Sequence, residues 1–172
     1  MKRKIAVFFI IIICFLLQVT LFQVWSFASI SPNLLIVVTS AFGFMRGRKE
    51  GMWIGFFCGL LLDIFCGGVI GFYALVYMYI GYLNGFFRKR FFPDDVKMPI
   101  LLIAASDLCY NLAVYVVLFL MRGKFRFDYY FMHIILPELV YTILITVFLY
   151  FVILKVNQKL EAIEKRSASK FV

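Results

Sequence analysis

The segment PILLIAASDLCYNLAVYVVLFL, residues 99–120, runs for 22 residues with one charged side chain, Asp107. The segment IILPELVYTILITVFLYFVIL, residues 134–154, repeats the pattern over 21 residues with Glu138 alone. A helix needs about 20 apolar residues to cross the hydrocarbon of a bilayer. Four further apolar segments precede these two, at about 5–27, 32–45, 51–66 and 69–87. The pattern predicts an all-α integral membrane protein: one domain, a bundle of six transmembrane helices, and a short cytoplasmic tail over 155–172. The second and third segments are short for a span. Two short spans are expected there, with a re-entrant hairpin over 32–66 as the alternative.

Composition excludes a soluble alternative. The chain is 65% hydrophobic and 16% charged, against about 45–50% and 25% for globular domains. Its 172 residues leave no room for a catalytic domain beside the membrane part. A net charge of +9 would suit a nucleic-acid binder, but the basic residues sit in short clusters between apolar runs, where they set topology instead. With the N-terminus inside, 15 of the 18 Lys and Arg residues fall on the cytoplasmic side. Only Arg122, Lys124 and Arg126 fall outside, in one loop. That bias places both termini in the cytoplasm.

The N-terminal run is longer than the apolar core of a signal peptide, and FASIS is a poor cleavage site, so a retained first helix is expected. Cys14, Cys58, Cys66 and Cys109 all lie in apolar runs without a CxxC pair, and His133 is the single histidine. Buried thiols are expected, with no metal site, disulfide framework or cofactor. Pro32, Pro99 and Pro137 each suit a first helical turn. Gly67-Gly68 suits a left-handed turn after a helix, and FFPDD at 91–95 a polar turn.

Polar residues inside such segments carry the most information. Gly51, Gly55 and Gly59 repeat every four residues, and Asp63 is the next step, so all four share one helix face. Glycines on a membrane helix admit a second backbone at close range. Asp63 is therefore expected to face protein, capping the start of the fourth helix near Gly68 to Gly71. The other reading of Asp63 is a proton- or cation-coupling carboxylate, which no basic residue within the spans supports. Gly43 and Gly47 continue the spacing backwards; Gly81 and Gly85 repeat it on the fourth segment. Asp107 and Asn111, one turn apart beside Ala104 and Ala105, form the best candidate for a buried polar cluster, bonded to a neighbouring helix. Glu138, just after Pro137, sits where a helix dipole favours it.

No catalytic constellation is present: there is no Ser/His/Asp set, phosphate loop or HExxH motif. RGRKEG (46–51) reads as a tight cytoplasmic turn. Beyond Lys155, Val156, Leu160 and Ile163 fall on one helical face, so the sixth helix is expected to continue into the cytosol.

The stretch SPNLLIVVTSAFGFMRGRKEGMWIGFFCGLLLDIFCGGVIGFYALVYMYIGYLNGFF (31–87) resembles the rod shape-determining protein MreD family. The shared pattern is Pro32-Asn33-Leu-Leu, Arg46-Gly47, a glycine-spaced helix ending Leu-Leu-x-Asp63, and Gly71-x-x-Ala-Leu. Residues 98–154 match only by hydropathy. The resemblance implies a non-enzymatic inner-membrane scaffold of the bacterial cell-elongation machinery. It also implies MreC, MreB, RodZ and the elongation-specific peptidoglycan synthases as partners, besides the lipid bilayer. The family is similar in fold to the S subunits of energy-coupling-factor importers, which supplies a second reading: a small-molecule-binding membrane subunit of a transporter. A ligand site needs several convergent polar groups in a concavity. Asp63, Asn33 and Glu138 are few for that purpose, which favours the scaffold.

Overall fold

The computed structural model describes residues 2–21, 32–66, 71–90, 97–122 and 127–168. Their regular structure is entirely helical. Helix α1 (Lys2–Leu16) passes into a π-helical turn, Leu17–Leu21. Helices α2 (Leu34–Arg46) and α3 (Arg48–Cys66) are separated by Gly47 alone. Helix α4 (Phe72–Asn84) tightens into a 3-10 stretch, Gly85–Arg90. Helix α5 is Lys97–Arg122. A short helix, Phe127–Tyr130, and a π-helical turn, Phe131–Ile135, lead into the long α6 (Leu136–Ala168).

Helix α2 is the axis of the bundle. All residues from Leu34 to Met45 are buried, and α1, α3, α4, α5 and α6 all pack against it. A helix apolar on every side belongs in the middle of a bundle rather than at its edge. Its 13 residues reach only about 20 Å at 1.5 Å per residue. An end of α2 therefore lies within the packed bundle, and its free amides need partners there.

The turn at Gly47 folds α3 back along α2. Gly47 has φ 101° and ψ −178°, a region open essentially to glycine. The Gly47 amide donates to the Gly43 carbonyl at 2.8 Å, and the Gly51 amide to the Gly47 carbonyl at 2.9 Å, so helical bonding resumes at once.

Of the three prolines, only Pro99 occupies a first helical turn. Pro32 precedes Asn33, which is the N-cap of α2. Pro137 does not begin a helix, because the chain is already helical from Phe127. Proline lacks an amide and crowds the carbonyl four residues back. The π-helical turn relieves that crowding: the Leu136 amide bonds the Phe131 carbonyl, five residues back. Glu138 consequently lies inside a continuous helix, not at a free helical end.

Among the described residues, two helices are long and apolar enough to cross a membrane, over Lys97–Val117 and Phe131–Leu160. Ile5–Thr20 and Leu34–Arg46 are apolar but shorter. The expected turns at Gly67-Gly68 and 91–95, and most of the loop carrying Gly123, Lys124 and Arg126, lie outside the described residues.

Candidate functional site

The α3 glycines lie against α4. A Cβ on Gly55 would overlap the Tyr77 carbonyl, and one on Gly59 would overlap the Tyr73 carbonyl and sit 2.5 Å from the Ala74 Cα. A Cβ on Gly51 would overlap the Gly81 carbonyl and lie 2.6 Å from the Gly43 Cα. From the other side, Gly81 meets the Gly51 backbone and Gly85 the Arg48 backbone. Helices α2, α3 and α4 thus converge on Gly43, Gly51 and Gly81, where side chains would hold the backbones apart.

Asp63 ends this stripe and is buried. Its Oδ1 accepts the Tyr73 amide at 3.1 Å and its Oδ2 the Ala74 amide at 2.9 Å. These are the second and third residues of α4, the donors that an N-cap side chain normally serves. The N-cap position itself holds Gly71, with φ 94° and no side chain to give. The cap therefore comes from the preceding helix. The donors lie slightly further along than the expected Gly68 to Gly71, because α4 begins only at Phe72. A carboxylate at a helix N-terminus also gains from the dipole, by about 0.3–1 kcal/mol and more when partly buried.

The opposite problem, the N-terminus of α2, is met by a cluster centred on Asn33. Asn33 Oδ1 accepts from the Ile36 amide at 3.3 Å and from the Tyr77 hydroxyl at 2.7 Å. The Asn33 amide donates to Thr142 Oγ1 at 3.2 Å, and the Leu35 amide to Gln18 Oε1 at 3.1 Å. Side chains from α4, α6 and the turn after α1 thus meet at one helix end. A second buried knot ties α2, α4 and α5: Asn84 Nδ2 donates to Ser40 Oγ at 3.3 Å and Ser106 Oγ at 2.7 Å. At the far end of α2, Arg46 Nε donates to Asn157 Oδ1 of α6 at 2.7 Å.

Asp107 and Asn111 are both buried, at 0% and 3% exposure. Asn111 Nδ2 bonds the Asp107 carbonyl of its own helix at 3.1 Å. Asp107 faces the Thr142 hydroxyl, yet neither carboxylate oxygen has a well-formed hydrogen bond among the described residues. Glu138 on α6 faces Asn111 and lies within electrostatic reach of Asp107. Tyr77 packs edge-on against Tyr110 nearby, with ring centroids 5.4 Å apart.

Cys14 and Cys58 are buried and Cys109 is exposed, all as free thiols. No group of three or more His, Cys, Asp or Glu side chains suited to a metal occurs among the described residues.

The family model for the rod shape-determining protein MreD matches residues 2–160. The chain belongs to the MreD family. Comparison with curated proteins finds no match, and comparison with solved structures finds none. Each polar or glycine position of the MreD motif pattern has a connecting role here: Asn33 and Asp63 cap helices, Arg46 joins α2 to α6, and Gly47 and Gly71 hold positive φ. The sequence reading missed Gln18, Tyr77, Asn84, Thr142 and Asn157, which supply the other half of these contacts. Asn84 and the Thr142/Thr146 pair were detectable as polar residues inside apolar helices. Gln18 carried the same signal in the first apolar segment, but its partner is fixed only by the packing of α1 on α2.

Proposed function

We propose that this MreD-family protein is a multi-pass scaffold of the bacterial inner membrane. It maintains rod shape by linking MreC, the MreB cytoskeleton with RodZ, and the elongation-specific peptidoglycan synthases. The observation that carries this reading is the allocation of polar groups. Asn33, Asp63, Asn84 and Arg46 bond helix to helix, while the outer faces are large and apolar. Phe148 is 81% exposed, Leu101 68% and Phe65 67%. Faces of that kind require hydrocarbon or a partner helix rather than water. Between α1 and α3, a hollow of about 650 Å³ lined by Phe8, Ile11, Trp53, Ile54 and Phe57, with Glu50 as its one charged residue, offers a largely apolar surface to a docking helix.

The six segments cross the membrane with both termini cytoplasmic, in an arrangement similar to the S subunits of energy-coupling-factor importers. Support comes from one basic end of the bundle. Arg46 touches Asn157, and Arg48 lies over Phe86, three residues before Lys89. Those contacts bring together the cytoplasmic ends expected from the positive-inside bias. The tail from Lys155 then continues α6 into the cytosol.

The second reading, a small-molecule-binding membrane subunit, draws on the buried Asp107, Asn111 and Thr142 and the half-buried Glu138, which gather polar groups between α5 and α6. Purification of the tagged full chain from detergent-solubilised membranes separates the two. Co-purification of MreC and the synthases, lost on replacing Trp53 and Phe57 with Ala, is the expected result. A chain that carries no membrane protein but retains a small molecule would overturn the scaffold in favour of the second reading.

A further inference from the structure

A second hollow, of about 410 Å³, lies where the α2–α3 turn meets the end of α4, lined by Gly47, Arg48, Gly85, Phe86, Arg88 and Lys89. That volume falls within the about 300–1,000 Å³ of small-ligand sites. Three of its six lining residues are cationic and none is acidic. Like charges gathered in one hollow repel one another, so the arrangement favours an anion.

Arg48 and Arg88 are also held in place. The Arg48 guanidinium lies 3.6 Å from the centroid of the Phe86 ring and 5.9 Å from that of Tyr82, which fixes its plane by a cation–π contact. The Arg88 stem crosses Gly47, with its Cδ 2.9 Å from where a Cβ would stand. Glycine at 47 thus provides both the turn and the room for Arg88. Gly85 lies tight against the Arg48 backbone, so the hollow's two walls are pinned to each other.

Above the hollow, the outer face of α4 is apolar: Leu75, Tyr79, Tyr82, Leu83 and Phe86 are all exposed and recur at helical spacing on one side. An anion with hydrocarbon chains would satisfy both surfaces at once. We propose that the hollow ringed by Arg48, Arg88 and Lys89 binds the phosphate of an anionic phospholipid, whose acyl chains lie along α4. The assignment rests on the membrane reading for the source of the phosphate, and on the hollow itself for the phosphate.

The test uses the full chain in detergent, titrated with phosphatidylglycerol or phosphatidylcholine of matched acyl chains and read by native mass spectrometry. Inorganic phosphate forms the third arm. Phosphatidylglycerol is expected to bind in preference to phosphatidylcholine. Arg88→Gln and Arg48→Gln should each weaken it about fivefold, the effect of one basic residue at a lipid surface, with phosphatidylcholine unaffected. Lys89→Gln, at an exposed position, repeats the test should an arginine variant fold poorly. Equal binding of the two lipids, or unchanged phosphatidylglycerol binding in all three variants, would overturn the site. Inorganic phosphate binding as tightly as phosphatidylglycerol would overturn the lipid as its source. The membrane reading is read separately by carbonate extraction, where release of the protein from membranes would sink it whatever the titration gave.

Discussion

Asp63 accepts the amide of Ala74 at 2.9 Å, so the last carboxylate of one helix serves as the first cap of the next. Two unfavourable features offset each other here. A carboxylate in the last turn of α3 opposes that helix's dipole, and the first amides of α4 are buried without an N-cap side chain. Their pairing resolves both. Asp63→Ala is expected to lower stability by about 1–3 kcal/mol, the effect of leaving buried amides unbonded. Asp63→Asn should lose less, since an amide oxygen still accepts. Thermal melting of the detergent-solubilised variants gives the order. Loss of rod shape in Asp63→Asn at an unchanged protein level would refute the cap as the whole role of this residue and leave the ionised carboxylate with a function.

The glycines separate two kinds of constraint. Gly59 has ordinary helical geometry but no room, whereas Gly71 has φ 94° with open space around its Cβ position. Gly59→Leu must push α3 and α4 apart and should cost about 1–3 kcal/mol or more. Gly71→Ala pays only for the left-handed backbone, about 1–2 kcal/mol, and Gly71→Asn should recover part of that. If Gly59→Leu accumulated in membranes at the wild-type level and melted at the wild-type temperature, the close approach of these helices would not be what holds the pair.

How far the sequence disclosed this arrangement depends on whether a feature is local. The spacing of Gly51, Gly55, Gly59 and Asp63 is a helix-face property, readable without a fold. That Asp63 caps the fourth helix is readable too, because Gly67-Gly68 leaves only a short link between the third and fourth segments. Asn33 was visible only as part of a family pattern, because its contacts reach Tyr77 and Thr142, 44 and 109 residues away. Nothing local marks such pairings. Pro137 misled for a related reason. A proline after an apolar run looks like a helix start, and the π-helical turn that lets a helix continue through it has no sequence signature of its own.

Tyr77→Phe isolates one bond in the Asn33 cluster. The phenyl ring keeps the packing against Tyr110, and Asn33 Oδ1 keeps the Ile36 amide. The expected loss is about 0.5–1.5 kcal/mol, that of one neutral hydrogen bond. Asn33→Ala should lose more, because it removes the α2 cap together with the acceptor of Tyr77. Equal melting temperatures for the two variants would show that the cap adds nothing beyond the tyrosine bond.

Topology is tested by cysteine labelling of intact cells from outside. Cys109 is exposed, so the four native cysteines are first replaced with Ser. A Cys at Gly123 should then react with an impermeant maleimide and a Cys at Lys49 should not. The reverse pattern would invert the bundle and move the basic end to the outer face.

Asp107 differs from Asp63 although both are buried acids. Asp63 holds two amides, while the Asp107 oxygens hold no well-formed bond among the described residues. A carboxyl group buried without such partners weakens a fold, and replacing it by another residue of similar shape is often neutral or stabilising. Asp107→Asn is therefore expected to melt at or above the wild-type temperature, in contrast with the loss expected for Asp63→Asn. Rod-shape complementation supplies the second readout. A stable Asp107→Asn protein that supports rod growth makes Asp107 a tolerated polar core residue. A stable variant that fails to support it assigns the carboxylate to the protein's work, and the cluster with Asn111, Thr142 and Glu138 becomes the place to look for what it holds. A marked fall in melting temperature would show that Asp107 has a bonding partner that stabilises the fold, against this expectation.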